Sequence, residues 1–535
     1  VFVQVLVVML AALALTIVAA RRGRQAPLLL AVAGAAISFV PGLPRVQLSP
    51  EVILSVVLPP LLFSTTQDSS WRGFVRRWRS ITNLGVVLVI VTTVVVALVA
   101  SLVIPWVTLG LALVLAAVVS PPDAVTAVAI GGRLGLPSRV LNTLKGESLV
   151  NDAAALTLFS VTVAQAAGTR TTVENPVLFF LFTSAVGIVV GLLLGRLAVV
   201  VRSRLHDASL MTAFAVLLPF TAYALAEVFE GSGVLAVVTA GFVLSRHSLA
   251  AVYSTRLSER EVWNLVDVLL EAFVFAYLGL QFHFLLEDAV ADGSRAWSLL
   301  AAGLVVLAAV VLVRLVWVVG GGFVMRNLLH GRLSVDGKHF SRAEDVVLAW
   351  TGMRGVVTLA AAAGIPETTA SGAPFPHRAD LQVLAFVVAV GTLLLQGSTL
   401  PPLIRRLHLD TSEEDRWREA QRRQAQSISR EAGLTVLRTE RHEAATAVDR
   451  RVVDAILQRA EHLWTVRTQE QQENQGASPS ARRGVELRRR MIVAQRKALL
   501  DAEDTGDLSE DATREALEQL DLDEASLSHR GSPRL

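Results

Sequence analysis

Apolar residues run through the first 410 positions in long blocks, near 1–20, 27–43, 49–66, 80–104, 106–131, 138–166, 177–202, 208–230, 232–250, 261–285, 296–328, 343–365 and 380–406. A helix needs about 20 apolar residues to cross the hydrocarbon core of a bilayer. Most of the blocks reach that length, so the pattern predicts an all-α integral membrane domain over 1–410 with about 13 transmembrane helices. From 411 to 535 the pattern changes. The stretch 412–465 is charged and Arg-rich, and Ala445, Val448, Val452, Ile456, Ala460 and Leu463 recur at helical spacing, which predicts an amphipathic helix. TQEQQENQGASPSA (468–481) predicts a flexible linker, followed by basic RRGVELRRRMIVAQRK (482–497) and an acidic stretch over 501–524. Composition accounts for this tail as solvated helices packed on one another or on the membrane domain, with regulation or contact with anionic lipid as the alternatives.

Composition supports the same division. Of 535 residues 53% are hydrophobic and only 18% charged, too apolar for a soluble chain of this size. The absence of cysteine excludes disulfides and thiolate metal sites. The 49 Lys and Arg against 46 Asp and Glu are too evenly balanced to suggest nucleic acid as a partner. Where the basic residues lie is more telling. Alternate loops, from RRGR (21–24) and RGFVRRWR (72–79) to RNLLHGRLSVDGKHFSR (326–342), hold about nineteen Lys and Arg, and the intervening loops about four. The basic loops are therefore expected in the cytoplasm. An odd number of helices then places the amino terminus outside and the tail inside. The first block lacks a cleavage pattern and is followed by its basic residues, so it reads as a retained helix.

Three polar constellations interrupt the apolar blocks. The first is GESLVND (146–152), which sets Ser148 and Asp152 on one helical face and Glu147 and Asn151 on the adjoining face. A charge at membrane depth costs about 2.5–3.5 kcal/mol on insertion scales, so such residues turn inward, either as an ion pair stapling helices or as a functional site. Four polar groups within six residues exceed what a staple requires. The second is SPPDAV (120–125), where two prolines remove backbone donors in mid-block, break the helix at Ser120–Asp123 and free carbonyls such as those of Val118 and Val119. The third is GMRGVV (352–357), where Gly352 and Gly355 flank Arg354 and mark a second break. The breaks fall in the fifth and twelfth blocks, each the middle of a three-helix group, and the odd offset gives the groups opposite orientation. That layout predicts inverted repeats with two discontinuous helices crossing at the midplane, as in secondary transporters.

Together GESLVND, SPPDAV, the arginine of LVRLVWVV (312–319), GMRGVV and LLLQGSTLPPLIRRL (393–407) resemble the monovalent cation/proton antiporter family, specifically bacterial sodium/proton exchangers of the electroneutral Asn-Asp type, over essentially 1–410. The resemblance implies thirteen helices, a homodimer formed through a scaffold domain, and a mobile core domain with one ion site and no cofactor. Carried across, Asp152 is the carrier of ion and proton, Asn151 its supporting neighbour, Ser148 an ion ligand and Asp123 a further contact. Glu147 and Arg314 form an ion pair beside the site, and Arg354 sits at the break of helix twelve. The family's Thr-Asp-Pro at the first break is Pro122-Asp123-Ala124 here, so Pro122 occupies a ligand position without a hydroxyl. Many members carry a glutamate after PPLLF in helix three where this chain has Ser64. Water, Ser64 or Asp123 must then take its place.

These readings predict exchange of a monovalent cation, Na+ first and K+ or Li+ next, for H+ across the cell membrane. An empty, buried Asp152 anion is too costly to cross, so the carboxylate moves with a cation or a proton. With Asn151 an amide, one titrating group exchanges one charge for one. A passive cation channel would instead carry current without proton coupling, and an ion-sensing receptor signalling through the tail would bind without flux. Glu227 and Glu271 read as packing or funnel residues. His206, His247, His339 and His283 fall in loops or near a helix end and suggest no metal cage.

Overall fold

The computed structural model describes residues 2–22, 26–41, 45, 49–67, 71–123, 125–169, 175–205, 207–248, 253–291, 296–327, 340–407, 409, 412–443, 450, 451, 453, 454, 457, 458 and 479–531. Ala445, Val448, Val452, Ile456, Ala460 and Leu463, the expected linker up to 478, His206, His339 and the His247 side chain lie outside them, as does most of the basic loop 326–342.

Hydrocarbon offers a backbone no hydrogen bonds, so each apolar block must satisfy its own amides. Among the described residues every regular element is helical, and seven helices are long and apolar enough to cross a membrane. Those seven lie within α4, α6, α7, α8, α10, α11 and α13 of a series that begins, in chain order, with α1 (Phe2–Arg21), α2 (Ala26–Ser38), α3 (50–67), α4 (Trp78–Val103), α5a (Leu109–Val119), α5b (Val125–Arg133), α6 (Ser138–Ala166) and α7 (Pro176–Arg204). There follow α8 (Ala208–Val228), α9 (Gly233–Ser248), α10 (Tyr253–Ala291), α11 (Ala296–Asn327), α12a (Arg342–Trp350), α12b (Val356–Ala363) and α13 (Arg378–Leu407). Within α3, α4 and α13 a single wider π-helical turn interrupts the regular ladder, at Ile53–Val57, Asn83–Val87 and Leu393–Gly397.

The helix starts follow local chemistry. Asn175 caps α7 by accepting from the Val177 and Leu178 amides at 2.9 and 3.3 Å, with Pro176 filling the first position, where no donor is needed. Asp207 caps α8 in the same way. At α12a, Ser341 and Glu344 cap each other's amides, and Glu344 also receives Arg139 of α6 through two bonds of 2.6 and 2.7 Å. The first turns of α6 and α12a are thereby tied together.

The chain forms two compact units, Val1–Arg246 with Glu259–Thr411, and His247–Ser258 with Ser412–Leu535. Within the first unit, α4, α5a, α5b, α6, α11, α12a, α12b and α13 pack around the two interrupted helices. The others pair α1 with α2, α7 with α8 and α8 with α3. Two of these crossings depend on a missing side chain. A Cβ on Gly34 of α2 would lie 2.9 Å from the Ala276 carbonyl of α10, and one on Gly191 of α7 would lie 2.5 Å from the Ala236 carbonyl of α9. Between the groups, the Thr157 hydroxyl on α6 meets the Ser232 hydroxyl just before α9 at 2.9 Å, and Phe282 of α10 stacks on Phe386 of α13.

In the second unit α14 (Ser412–Glu443), α15 (Pro479–Thr505) and α16 (Glu510–Gly531) pack on one another. Ala425, Ile492, Leu499, Leu508, Leu517 and Leu520 form the core between them. Helix α15 begins at Pro479, inside the stretch expected as linker, because proline at a first helical position costs nothing. The acidic stretch 501–524 divides between the end of α15 and α16, and its Asp521 takes Arg496 at 2.9 Å.

Candidate ion-translocation site

The centre of the first unit is built where the two interruptions meet. At α5, Ser120, Pro121, Pro122 and Asp123 separate the end of α5a from α5b, and at α12 residues 351–355 separate α12a from α12b. The Asp123 amide donates to the Met353 carbonyl at 2.6 Å, joining one break to the other through the backbone. Arg354 completes the junction. Its Nε donates to the Val119 carbonyl at 2.8 Å, its Nη2 to the Ser120 carbonyl at 3.1 Å and its Nη1 to the Gly352 carbonyl. One guanidinium thus satisfies carbonyls that both breaks leave without intrahelical partners, at the negative end of the α5a dipole.

Helix α6 runs past this junction and presents the GESLVND residues. Glu147, Ser148, Asn151 and Asp152 are all buried. Asn151 donates its Nδ2 to the Pro122 carbonyl at 2.8 Å, which fixes the amide against the proline break, and its Oδ1 is buried without a hydrogen-bond partner. Asp152 lies within electrostatic reach of Asp123 and Glu147. Asp123 holds its carboxylate over Gly355, where a Cβ would fall 1.6 Å from Oδ2, so the absence of a side chain at 355 makes room for that carboxylate. Ser148 lies one turn before Asp152 on α6, and Pro122 contributes its carbonyl to Asn151 rather than a hydroxyl.

The expected pair of Glu147 and Arg314 is present and closed on every side. Arg314 Nη1 and Nη2 take both oxygens of Glu147, the second at 3.0 Å, and Nε and Nη2 also donate to the Leu348 carbonyl at 3.2 and 2.9 Å. Arginine suits this position because its fork can grip a carboxylate and a carbonyl together. The structure thus brings Asn151, Pro122, Asp123, Asp152 and Arg354 to one crossing and sets Glu147 with Arg314 beside it.

Two features escaped the sequence reading. Asp267 on α10 accepts a hydrogen bond of 2.6 Å from Ser64 of α3, and Glu271 one turn later, read from the sequence as a packing or funnel residue, is within electrostatic reach of Asp267 and Asp123. The available signal was the four-residue spacing of two acids within the apolar block NLVDVLLEAF. Arg139 with Glu344 was the second, signalled only by the S-x-x-E cap at 341–344. Among the histidines, His283 pairs with Glu287, and His377 stacks on Trp106 with Nδ1 at 2.7 Å from Asp380.

An all-helical, membrane-embedded unit whose two interrupted helices cross beside buried carboxylates belongs to the class of secondary transporters. A family model described as "Sodium/hydrogen exchanger, transmembrane" matches residues 7–406, and this chain belongs to that family. The chain is 32% identical over 454 residues to an uncharacterized Na(+)/H(+) exchanger of Mycobacterium tuberculosis, covering 83% of this chain and 81% of that one. It is 30% identical to the low-affinity Na(+)/H(+) antiporter NhaS1 of Synechocystis, over 71% of this chain and 69% of the relative. A sodium, potassium, lithium and rubidium/H(+) antiporter of Bacillus pumilus is 28% identical, over 70% of this chain and 57% of its own length. Among solved structures, the sodium proton antiporter MjNhaP1 of Methanocaldococcus jannaschii shares the fold with a TM-score of 0.59 at 18% identity, covering 76% of this chain and 98% of that one.

Proposed function

We propose that this chain exchanges one monovalent cation for one proton by alternating access, with Asp152 holding either. The observation that carries the proposal is the pairing of Asp152 with an amide neighbour at the crossing of the breaks. Asn151 braces Pro122 and does not titrate, so one carboxylate changes partner. Ser148 and Asp123 are the further cation contacts, while Arg354 and the Glu147–Arg314 pair hold the helices that present them. Sodium is the first candidate, with potassium and lithium next, since relatives bear names that include all three. The same reading assigns thirteen transmembrane helices in inverted repeats, an external amino terminus, a cytoplasmic tail and a homodimer formed through helices outside the crossing group.

The mechanism follows from electrostatics. From one side, Asp152 releases a proton and takes a cation, which neutralises it against Asp123 and Glu147. Neutral, it can be carried past the apolar surround, and on the other side the partners exchange. The test is Na+ or Li+ gradient-driven proton movement in proteoliposomes. Asp152→Asn is expected to abolish exchange, and unchanged exchange in that variant would remove the central claim. A channel would be recognised by current without proton coupling.

A further inference from the structure

Exchange at Asp152 requires the cation to arrive at a deeply buried group, and helix α3 turns a hydroxyl toward an acid of α10 nearby. Ser64 is buried, with its hydroxyl 2.6 Å from Asp267 Oδ1 of α10 and 3.0 Å from the Leu61 carbonyl. A hydroxyl carries one proton, and the shorter contact is to the carboxylate, so Ser64 steadies Asp267 while keeping lone pairs available to a cation. Asp267 and Glu271 are four residues apart on α10, hence on one face. Glu271 is within electrostatic reach of Asp267 and of Asp123, and Asp152 within reach of Asp123. Each acid from α10 to the crossing therefore feels the charge of the next. At the crossing Asn151, bonded through Nδ2 to Pro122, keeps its Oδ1 buried beside the same break with no hydrogen-bond partner among the described residues, an acceptor suited to a cation.

We propose that Asp267, steadied by Ser64, and Glu271 attract the transported cation and pass it to Asp123 and Asp152, so that α10 supplies the outer carboxylates of the cation's path. This rests on the antiporter reading. Like charges one turn apart repel, and a monovalent cation between them relieves that repulsion. These residues set cation affinity, while Asp152 remains the group that exchanges.

The experiment is Na+ dependence of proton exchange in proteoliposomes containing the full chain. Asp267→Asn is expected to raise the apparent KM for Na+ about tenfold while the rate at saturating Na+ stays within about twofold. Glu271→Gln, which leaves the Ser64 contact in place, is expected to raise KM in the same direction. The exchanged pair Ser64→Asp with Asp267→Ser puts carboxylate and hydroxyl back at the same contact and is expected to return KM to within about threefold of the parent. Unchanged KM in both single variants, or an exchanged pair as weak as Asp267→Asn, overturns the proposal. Should Asp267→Asn fail to fold, Glu271→Gln and the exchanged pair decide by the same criteria. Absence of exchange in the parent chain would instead sink the antiporter reading itself, and exchange in the parent with unmoved KM in the variants sinks only this proposal.

Discussion

Arg314 and Arg354 are both sealed from solvent, yet the two guanidiniums have different work. Arg314 neutralises a buried acid, whereas the Arg354 guanidinium donates to the carbonyl oxygens of Val119, Ser120 and Gly352. Removing one partner of a buried ion pair leaves a charge uncompensated, at a cost of about 3–5 kcal/mol. Arg314→Ala is therefore expected to lower the melting temperature in detergent well below that of Asp152→Asn. Equal melting temperatures would show that the pair contributes little. Gly355 supplies a second residue-scale test. A methyl group there would overlap the Asp123 carboxylate, which lies at the end of a side chain and can swing aside. Gly355→Ala is expected to weaken exchange by about tenfold or more, as a displaced contact costing about 1.4 kcal/mol would, while lowering the melting temperature less than Arg314→Ala. Wild-type exchange in that variant would take Asp123 out of the ion path.

At the scale of elements, the sequence made some features readable and hid others for physical reasons. The break at Pro121 and Pro122 was legible because proline cannot donate, and the chain had to leave the helix there. The break at 351–355 was signalled only by glycines, which permit an interruption without forcing one. What closes both is Arg354, and nothing in local pattern says that its fork reaches Val119 and Ser120, more than 230 residues earlier. Ser64 was legible as a departure, but its partner Asp267 was not, because pairing between separate helices leaves no periodic trace. In the tail, charge dominated the reading of 501–524 and concealed Leu508, Leu517 and Leu520, which pack against α14 and α15. Leu499 is fully buried there, and Leu499→Ala is expected to destabilise the three helices by about 2–5 kcal/mol. Limited proteolysis across 412–531 at graded temperature would show it as earlier cleavage, and an unshifted profile would mean that the tail core does not depend on that side chain.

At the scale of the whole molecule, the proposed single exchanging carboxylate sets the expected response to voltage. If one cation moves against one proton, no net charge crosses, whereas each uncompensated charge would gain about 2.3 kcal/mol per 100 mV. Sodium-coupled proton movement in proteoliposomes is therefore expected to ignore a potential set by potassium and valinomycin, with a sodium gradient run in parallel to prove competence. Sustained potential-driven, Na+-dependent proton flux would require a second titrating group, and Asp123 would be the first to examine. The chain also carries an unused means of control. It contains no cysteine, and the Thr157 and Ser232 hydroxyls meet at 2.9 Å across the line between the crossing group and the start of α9. Cysteines in those two places would bring two thiols face to face, and a bridge needs only that their Cβ atoms settle about 3.5–4.5 Å apart. A doubly substituted Thr157→Cys, Ser232→Cys chain should thus become a redox-locked exchanger on a background free of competing thiols, silenced by mild oxidant and reawakened by reductant, with that one hydroxyl contact serving as its latch.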